Sequence, residues 1–95
     1  MNFSLVVSDR AIHQIEKAAT WFFEQSPGLE VKFIKEIERG MNFIQKNPLK
    51  CQCRYKNVRV NFLKKFDFGI HYIIENNTVF VLCVFHTSQN SDDWF

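Results

Sequence analysis

The chain has 95 residues, of which 46% are hydrophobic and 11 are phenylalanine. This length fits one small domain with its own core, so we expect residues 1–95 to form a single domain. The net charge is only +2, which is too weak to indicate nucleic-acid binding by itself. No apolar run could span a bilayer and the N-terminus lacks a signal-peptide pattern, so we expect a soluble cytoplasmic protein without membrane contact.

The first elements are a short strand and an amphipathic helix. Asn2–Val7 has the sequence NFSLVV, in which apolar side chains occupy one face of a strand. Ser8 and Asp9 offer a helix N-cap and an acidic first turn. Apolar residues then recur at helical spacing, which predicts a helix over about Asp9 to Gln25.

A second helix follows almost at once. Ser26-Pro27-Gly28 ends the first helix, and the next apolar stripe ends at Asn47-Pro48, where proline disfavours helical geometry in the preceding residue. So short a link predicts an antiparallel helix hairpin. Gly40 inside the second helix costs about 1 kcal/mol relative to alanine, so we expect another element to approach it closely.

Three strands are predicted after a basic connector, Leu49–Lys56. Val58–Phe62 alternates apolar and polar residues, and residues 68–74 and 79–85 are rich in β-branched and aromatic side chains. Asn76-Asn77 fits the tight turn between the last two strands. These signals predict an antiparallel meander.

The turn at Asn76-Asn77 fixes a register for the last two strands. Counting back from it places Ile73 opposite Phe80, His71 opposite Leu82, and Asp67 opposite His86. The last strand is apolar on both faces, which is typical of a central strand. The first strand must therefore join an edge of the sheet or lie beside the last strand.

The predicted fold is α+β with the order β-α-α-β-β-β. The helix hairpin packs on one face of a small antiparallel sheet, because the apolar stripes of both helices need an apolar surface. The other face of the sheet is then expected to stay free for a larger partner.

The cysteines do not indicate a metal site. An odd number of them, Cys51, Cys53 and Cys83, suggests free thiols. Cys51 and Cys53 lack the spacing of a zinc site, and Cys83 should face away from His86 on its strand. We expect no metal and no cofactor.

Several segments together resemble the RelE/ParE toxin superfamily, over essentially the whole chain. They are Trp21-Phe22-Phe23 late in the first helix, Asn47-Pro48, the strand of Arg59, Phe66–Tyr72, and Val84-Phe85-His86 leading to Trp94. Asp67 and Ser91 stand where the family pattern usually has proline, and Gln89 stands where it usually has arginine. 

The resemblance implies the toxin of a type II toxin–antitoxin pair. Such a toxin is neutralised by a cognate antitoxin whose C-terminal segment covers apolar grooves. RelE-like members cut mRNA on the ribosome, whereas ParE-like members are associated with inhibition of DNA gyrase. Residues expected to bind the target or the antitoxin are Trp21, Phe22, Arg54, Arg59, Gln89 and Trp94.

A ribonuclease would need cations and an acid–base group around the scissile phosphate. The candidates are Arg59, Lys64, Lys65, His71 and His86. The acidic Asp92-Asp93 pair in the tail would repel a phosphate. We therefore favour a ParE-like toxin that inhibits a large target, possibly gyrase. The alternatives are a ribosome-dependent mRNA endonuclease and a non-toxic binding module.

Each candidate also has a structural interpretation. His86 would form a cross-strand pair with Asp67, and His71 would be a structural residue of its sheet face. Lys64-Lys65 would be a solvated turn, and Trp94 would anchor the tail.

Overall fold

The computed structural model describes residues 2–88, which form two helices and one five-stranded sheet. The elements are β1 (Ser4–Val7), α1 (Asp9–Gln25), α2 (Leu29–Lys46), β2 (Cys53–Tyr55), β3 (Val58–Phe62), β4 (Phe68–Glu75) and β5 (Thr78–His86). The strand order is β1-β5-β4-β3-β2. The predicted α+β class, the helix hairpin and the central position of the last strand are confirmed. Neither described helix is long and apolar enough to cross a membrane.

The sheet has one strand more than the sequence predicted. Part of the supposed connector forms β2, which pairs with β3 across a turn at Lys56-Asn57. Lys56 adopts a φ of 48° there. Lysine rarely adopts this conformation, so the residues at this position do not predict a turn. A strand of three residues is also too short for an alternating pattern to be recognised.

The sheet is mixed, because β1 runs parallel to β5 whereas all other pairs are antiparallel. Residue patterns along β1 identify a strand but carry no information about its direction. That direction depends on how the helix hairpin carries the chain back to the sheet.

Two side chains at the start of α1 attach this helix to the outer edge of β5. The Ser8 hydroxyl accepts a hydrogen bond from Ala11 N at 3.0 Å, which caps the helix, and donates one to Leu82 O at 2.8 Å. The Val84 N–H donates to Gln14 Oε1 at 2.7 Å. Pairing with β1 ends at Val81, so α1 provides partners for the backbone of β5 beyond that point.

A bulge at Leu82 changes which residues of β5 face the helices. The predicted pairing of Ile73 with Phe80 is confirmed, but the ladder shifts by one residue and His71 pairs with Cys83, not with Leu82. For the same reason Phe68, not Asp67, lies opposite His86. One extra residue moves every later side chain to the other face.

Both helices pack on the same face of the sheet, as predicted. We call it the helix-facing side. Its strand residues in the core are Phe68, Ile70, Tyr72, Ile74, Val79, Val81 and Val84. The apolar stripes of α1 and α2 meet this side, where Ala11, Phe33 and Ile44 are fully buried. Removing this apolar area from water is the main contribution to stability.

Gly40 allows α2 to lie directly on the sheet. A Cβ atom at Gly40 would lie 2.7 Å from Ile70 Cδ1 and 3.1 Å from Leu63 Cδ2. The Asn61 side chain also donates a hydrogen bond to Gly40 O at 3.3 Å. The close approach predicted at this glycine is therefore confirmed, and the approaching element is the sheet.

Replacing Gly40 with alanine should lower the free energy of unfolding by about 1 kcal/mol. Overpacking costs about 1–3 kcal/mol, which exceeds the gain of about 1 kcal/mol in helix propensity. Denaturant unfolding measures the change. Ile70→Val removes the nearest atom, so the alanine should cost less in that background. Purely additive effects of the two substitutions would contradict the steric explanation.

Candidate functional site

The five residues proposed for a nuclease lie in four separate places. Arg59 donates from Nη1 to Cys51 O at 2.6 Å and so supports the loop before β2. Lys64 and Lys65 are exposed in the bend between β3 and β4, beside α2. His71 is buried on the side of the sheet away from the helices, whereas His86 lies on the helix-facing side near α1. The structure does not bring this set together.

His71 belongs to a buried polar cluster. Its Nδ1 lies 2.9 Å from the Tyr55 hydroxyl, its ring meets Phe85 edge to face at 5.3 Å, and Cys83 is its cross-strand partner. The Arg10 guanidinium lies 5.0 Å from the centroid of the Phe85 ring. The centre of this sheet face is thus covered, and the expectation that the face stays free is wrong there.

The titratable groups of this cluster are neutral at pH 7. Burial, and to a smaller extent the positive charge of Arg10, lowers the pKa of His71 to about 4. Burial also raises the pKa of Tyr55 to about 12 and that of Cys83 to about 11. Desolvation disfavours the charged form of each group, so these residues pack and hydrogen-bond as neutral groups.

His86 is placed by contacts other than the predicted one with the Asp67 side chain. Its Nδ1 accepts a hydrogen bond from Ser88 N at 3.1 Å, and the Ser88 hydroxyl oxygen lies 2.6 Å from the same nitrogen. The ring packs edge to face on Phe68 at 5.1 Å. The backbone carbonyl of Asp67 accepts a hydrogen bond from Thr87 N at 2.7 Å, next to His86 in the chain.

A groove of about 470 Å³ lies between α1 and the end of β5, and we call it the α1 groove. It is lined by Gln14, Lys17, Ala18, Trp21, Phe22, Phe68, Val84 and His86. Trp21 is 55% exposed and rests edge-on against Phe22 at 5.2 Å. Phe22 in turn packs on Phe33 and Phe66. Of the two predicted binding residues here, Trp21 is available at the surface and Phe22 supports it from the core.

A second groove, of about 360 Å³, separates α2 from β3 and the bend that follows it. We call it the basic groove; it is lined by Glu36, Arg39, Gly40, Phe43, Asn61, Phe62, Leu63, Lys64 and Lys65. Arg39 Nη1 lies 2.6 Å from Glu36 Oε2. Arg54, a predicted binding residue, lies 5.3 Å from the centroid of the Phe62 ring and does not itself line the groove. No sequence motif predicted a role for Arg39, Phe43 or Phe62, although an apolar Phe43 off the helix stripe is a visible signal.

Two predicted binding residues, Gln89 and Trp94, lie outside the residues that the structure describes. Within residues 2–88, no three His, Cys, Asp or Glu side chains come together as a metal site. Cys51, Cys53 and Cys83 are free thiols.

The sequence model of a protein family, described as the ParE toxin of the type II toxin–antitoxin system parDE, matches residues 5–91 of this chain. The chain belongs to the ParE toxin family. The predicted kinship with the RelE/ParE superfamily is thereby confirmed. No curated protein sequence matches the chain.

Two solved structures share the ParE-family fold of this chain at low sequence identity. One is described as the chromosomal ParDE toxin–antitoxin system from P. aeruginosa, with a TM-score of 0.82 and 13% identity over 90% of this chain and 97% of that one. The other is from the toxin–antitoxin complex RelBE2 of Mycobacterium tuberculosis, with a TM-score of 0.62 and 14% identity over 94% and 95% of the two chains. At these identities the likeness concerns the fold.

His71 should make the protein less stable in acid. Its pKa is about 6.5 in the unfolded chain and about 4 in the fold. The unfolded state therefore binds more protons, and stability falls as the pH falls from about 6.5 to about 4, by up to about 3 kcal/mol. Urea unfolding across this range measures the loss. The variant His71→Gln can still hydrogen-bond to Tyr55 but does not titrate. An unchanged pH dependence in this variant would show that His71 is not the cause.

Proposed function

We propose that this ParE-family chain is a cytoplasmic toxin that inhibits a large cellular target by binding to it, with DNA gyrase as the first candidate. A cognate antitoxin neutralises it by covering its exposed apolar surface. In this proposal the protein does not cleave RNA.

The observation that supports binding over catalysis is the separation of the five nuclease candidates. General acid–base catalysis requires groups within hydrogen-bond reach of one reacting phosphate. Arg59 is hydrogen-bonded to Cys51 O, and His71 is 1% exposed and on the opposite side of the sheet from His86. A binding toxin has no such geometric requirement.

A ribosome-dependent mRNA endonuclease is the second candidate, and one arrangement favours it. The α1 groove brings together an imidazole, an ammonium group and an exposed indole, from His86, Lys17 and Trp21. Such groups can transfer a proton, bind a phosphate and stack on a base.

The two candidates differ in what is damaged when the toxin is induced without antitoxin. For the binding toxin we expect altered supercoiling of a reporter plasmid while primer extension shows intact mRNA. The variants His86→Ala and Lys65→Ala should leave mRNA patterns unchanged. Codon-positioned cuts that disappear in either variant would support the endonuclease instead. Normal growth under strong induction would indicate a non-toxic binding module.

The α1 groove is the surface that we assign to the antitoxin. Trp21 lines this groove with its side chain 55% exposed, beside Ala18, Phe22 and Val84. An exposed tryptophan at the wall of a groove is typical of the aromatic anchor residues of protein interfaces.

Trp21→Ala should weaken binding of the antitoxin encoded by the neighbouring gene by about 2 kcal/mol, because buried tryptophans dominate interface energies. Titration calorimetry with the purified pair measures this difference. Leu49→Ala is the matched control, since Leu49 is 70% exposed and lines neither groove. Equal losses in the two variants would argue against the α1 groove as the site.

A further inference from the structure

We propose that the basic groove is the surface with which the toxin binds its target, and that it takes an acidic protein segment with an apolar anchor residue. This inference rests on the proposed function, and it assigns the target to a different surface from the antitoxin.

The first support is the local concentration of positive charge. The whole chain has a net charge of only +2 with 12 Lys and Arg residues. Arg39, Lys64 and Lys65 line this one groove. The acids nearby are Glu36, which is paired with Arg39, and Asp67 in the same bend. The groove therefore suits a negatively charged partner.

The second support is the apolar surface between these charges. Phe43 and Phe62 line the groove and are 40% and 43% exposed. Leu63 adds an aliphatic side chain to the same lining. An apolar side chain placed here would bury aromatic area that is otherwise exposed to water. A partner that bound by charge alone would gain nothing from this apolar surface.

A protein segment fits this groove better than a nucleic acid does. Glu36 lines the groove and is ion-paired with Arg39, so the attraction for an anion lies mainly at Lys64 and Lys65, and the continuous charge of a phosphate backbone would also run past the Glu36 carboxylate. A peptide can direct acidic side chains to Lys64 and Lys65 and still offer N–H groups to Glu36. Nucleic-acid sites combine a basic surface with aromatic rings, but a buried carboxylate among them is unfavourable.

The two grooves differ chiefly in their positive charge. The α1 groove has an exposed indole at its wall and one lysine, which suits a partner that buries the ring, whereas the basic groove is lined by Arg39, Lys64 and Lys65. Positive charge at the rim speeds encounter with an acidic surface and contributes specificity. We therefore assign the basic groove to the target and not to the antitoxin.

Charge reversal at the bend tests this assignment. Lys64→Glu/Lys65→Glu should reduce growth inhibition on induction, and inhibition of supercoiling by purified gyrase, by at least about tenfold, which corresponds to about 1.4 kcal/mol. Binding of the purified antitoxin should stay within about threefold of the wild-type value. Lys64→Arg/Lys65→Arg keeps the charges and should keep both activities. Lys32→Glu/Lys50→Glu is the matched control, since both lysines are exposed and outside the basic groove.

Each remaining outcome has a defined meaning. Full toxicity of Lys64→Glu/Lys65→Glu, or equal losses in it and in the matched control, would overturn the assignment while the proposed function stands. Loss of antitoxin binding with retained toxicity would assign the groove to the antitoxin. Loss of mRNA cutting in the variant would assign it to nucleic acid. A wild-type chain without any growth inhibition would overturn the proposed function itself, and the groove assignment with it.

Discussion

The hydrogen bonds between the start of α1 and the edge of β5 determine how the helices lie on the sheet. Ser8 caps α1 and binds Leu82 O, and Gln14, in the second turn of the helix, accepts from Val84 N. These contacts hold α1 where β1 no longer pairs with β5, so the backbone groups of a central strand are not left without partners. Because α1 crosses this edge of β5, Arg10 in its first turn packs on Phe85, on the side of the sheet away from the helices. The later turns of α1 pack on the helix-facing side.

The bulge at Leu82 is the second determinant of the functional surfaces. Without it, alternation along β5 would place Val84 and His86 away from the helices. With it, both side chains line the α1 groove next to Trp21, and Cys83 joins His71 in the buried cluster behind the sheet. A single inserted residue thus decides which groups surround the groove and which become part of a neutral, hydrogen-bonded interior.

The helix hairpin has two surfaces with different chemistry. The side of α1 exposes large apolar groups, of which Trp21 is the largest, whereas α2 and the bend after β3 present cations around two phenylalanines. A protein that must be neutralised by one partner and act on another benefits from such a separation, since each interface can have its own stability and rate of association. Gly40 contributes to this arrangement because it lets α2 approach the sheet closely enough to form the wall of the basic groove.

The sequence alone determined the elements whose signals are local, and through motif order it determined the family. Ser8 and Pro48 fix the outer limits of the two helices, and Asn76, with a φ of 55°, makes the last hairpin turn. Each of these features depends on the conformational preferences of neighbouring residues, so the pattern is visible without the fold.

Only the tertiary structure decided the features that depend on distant pairing. The direction of β1, the existence of β2 and the bulge at Leu82 depend on which backbone lies alongside each strand. A period-two pattern is the same for either register until a partner is present. The candidate surfaces followed the same division: the family resemblance was enough to point to Trp21 as a binding residue, whereas the meeting of Arg39, Phe43 and Lys64 at one groove required α2 and the sheet to be packed together.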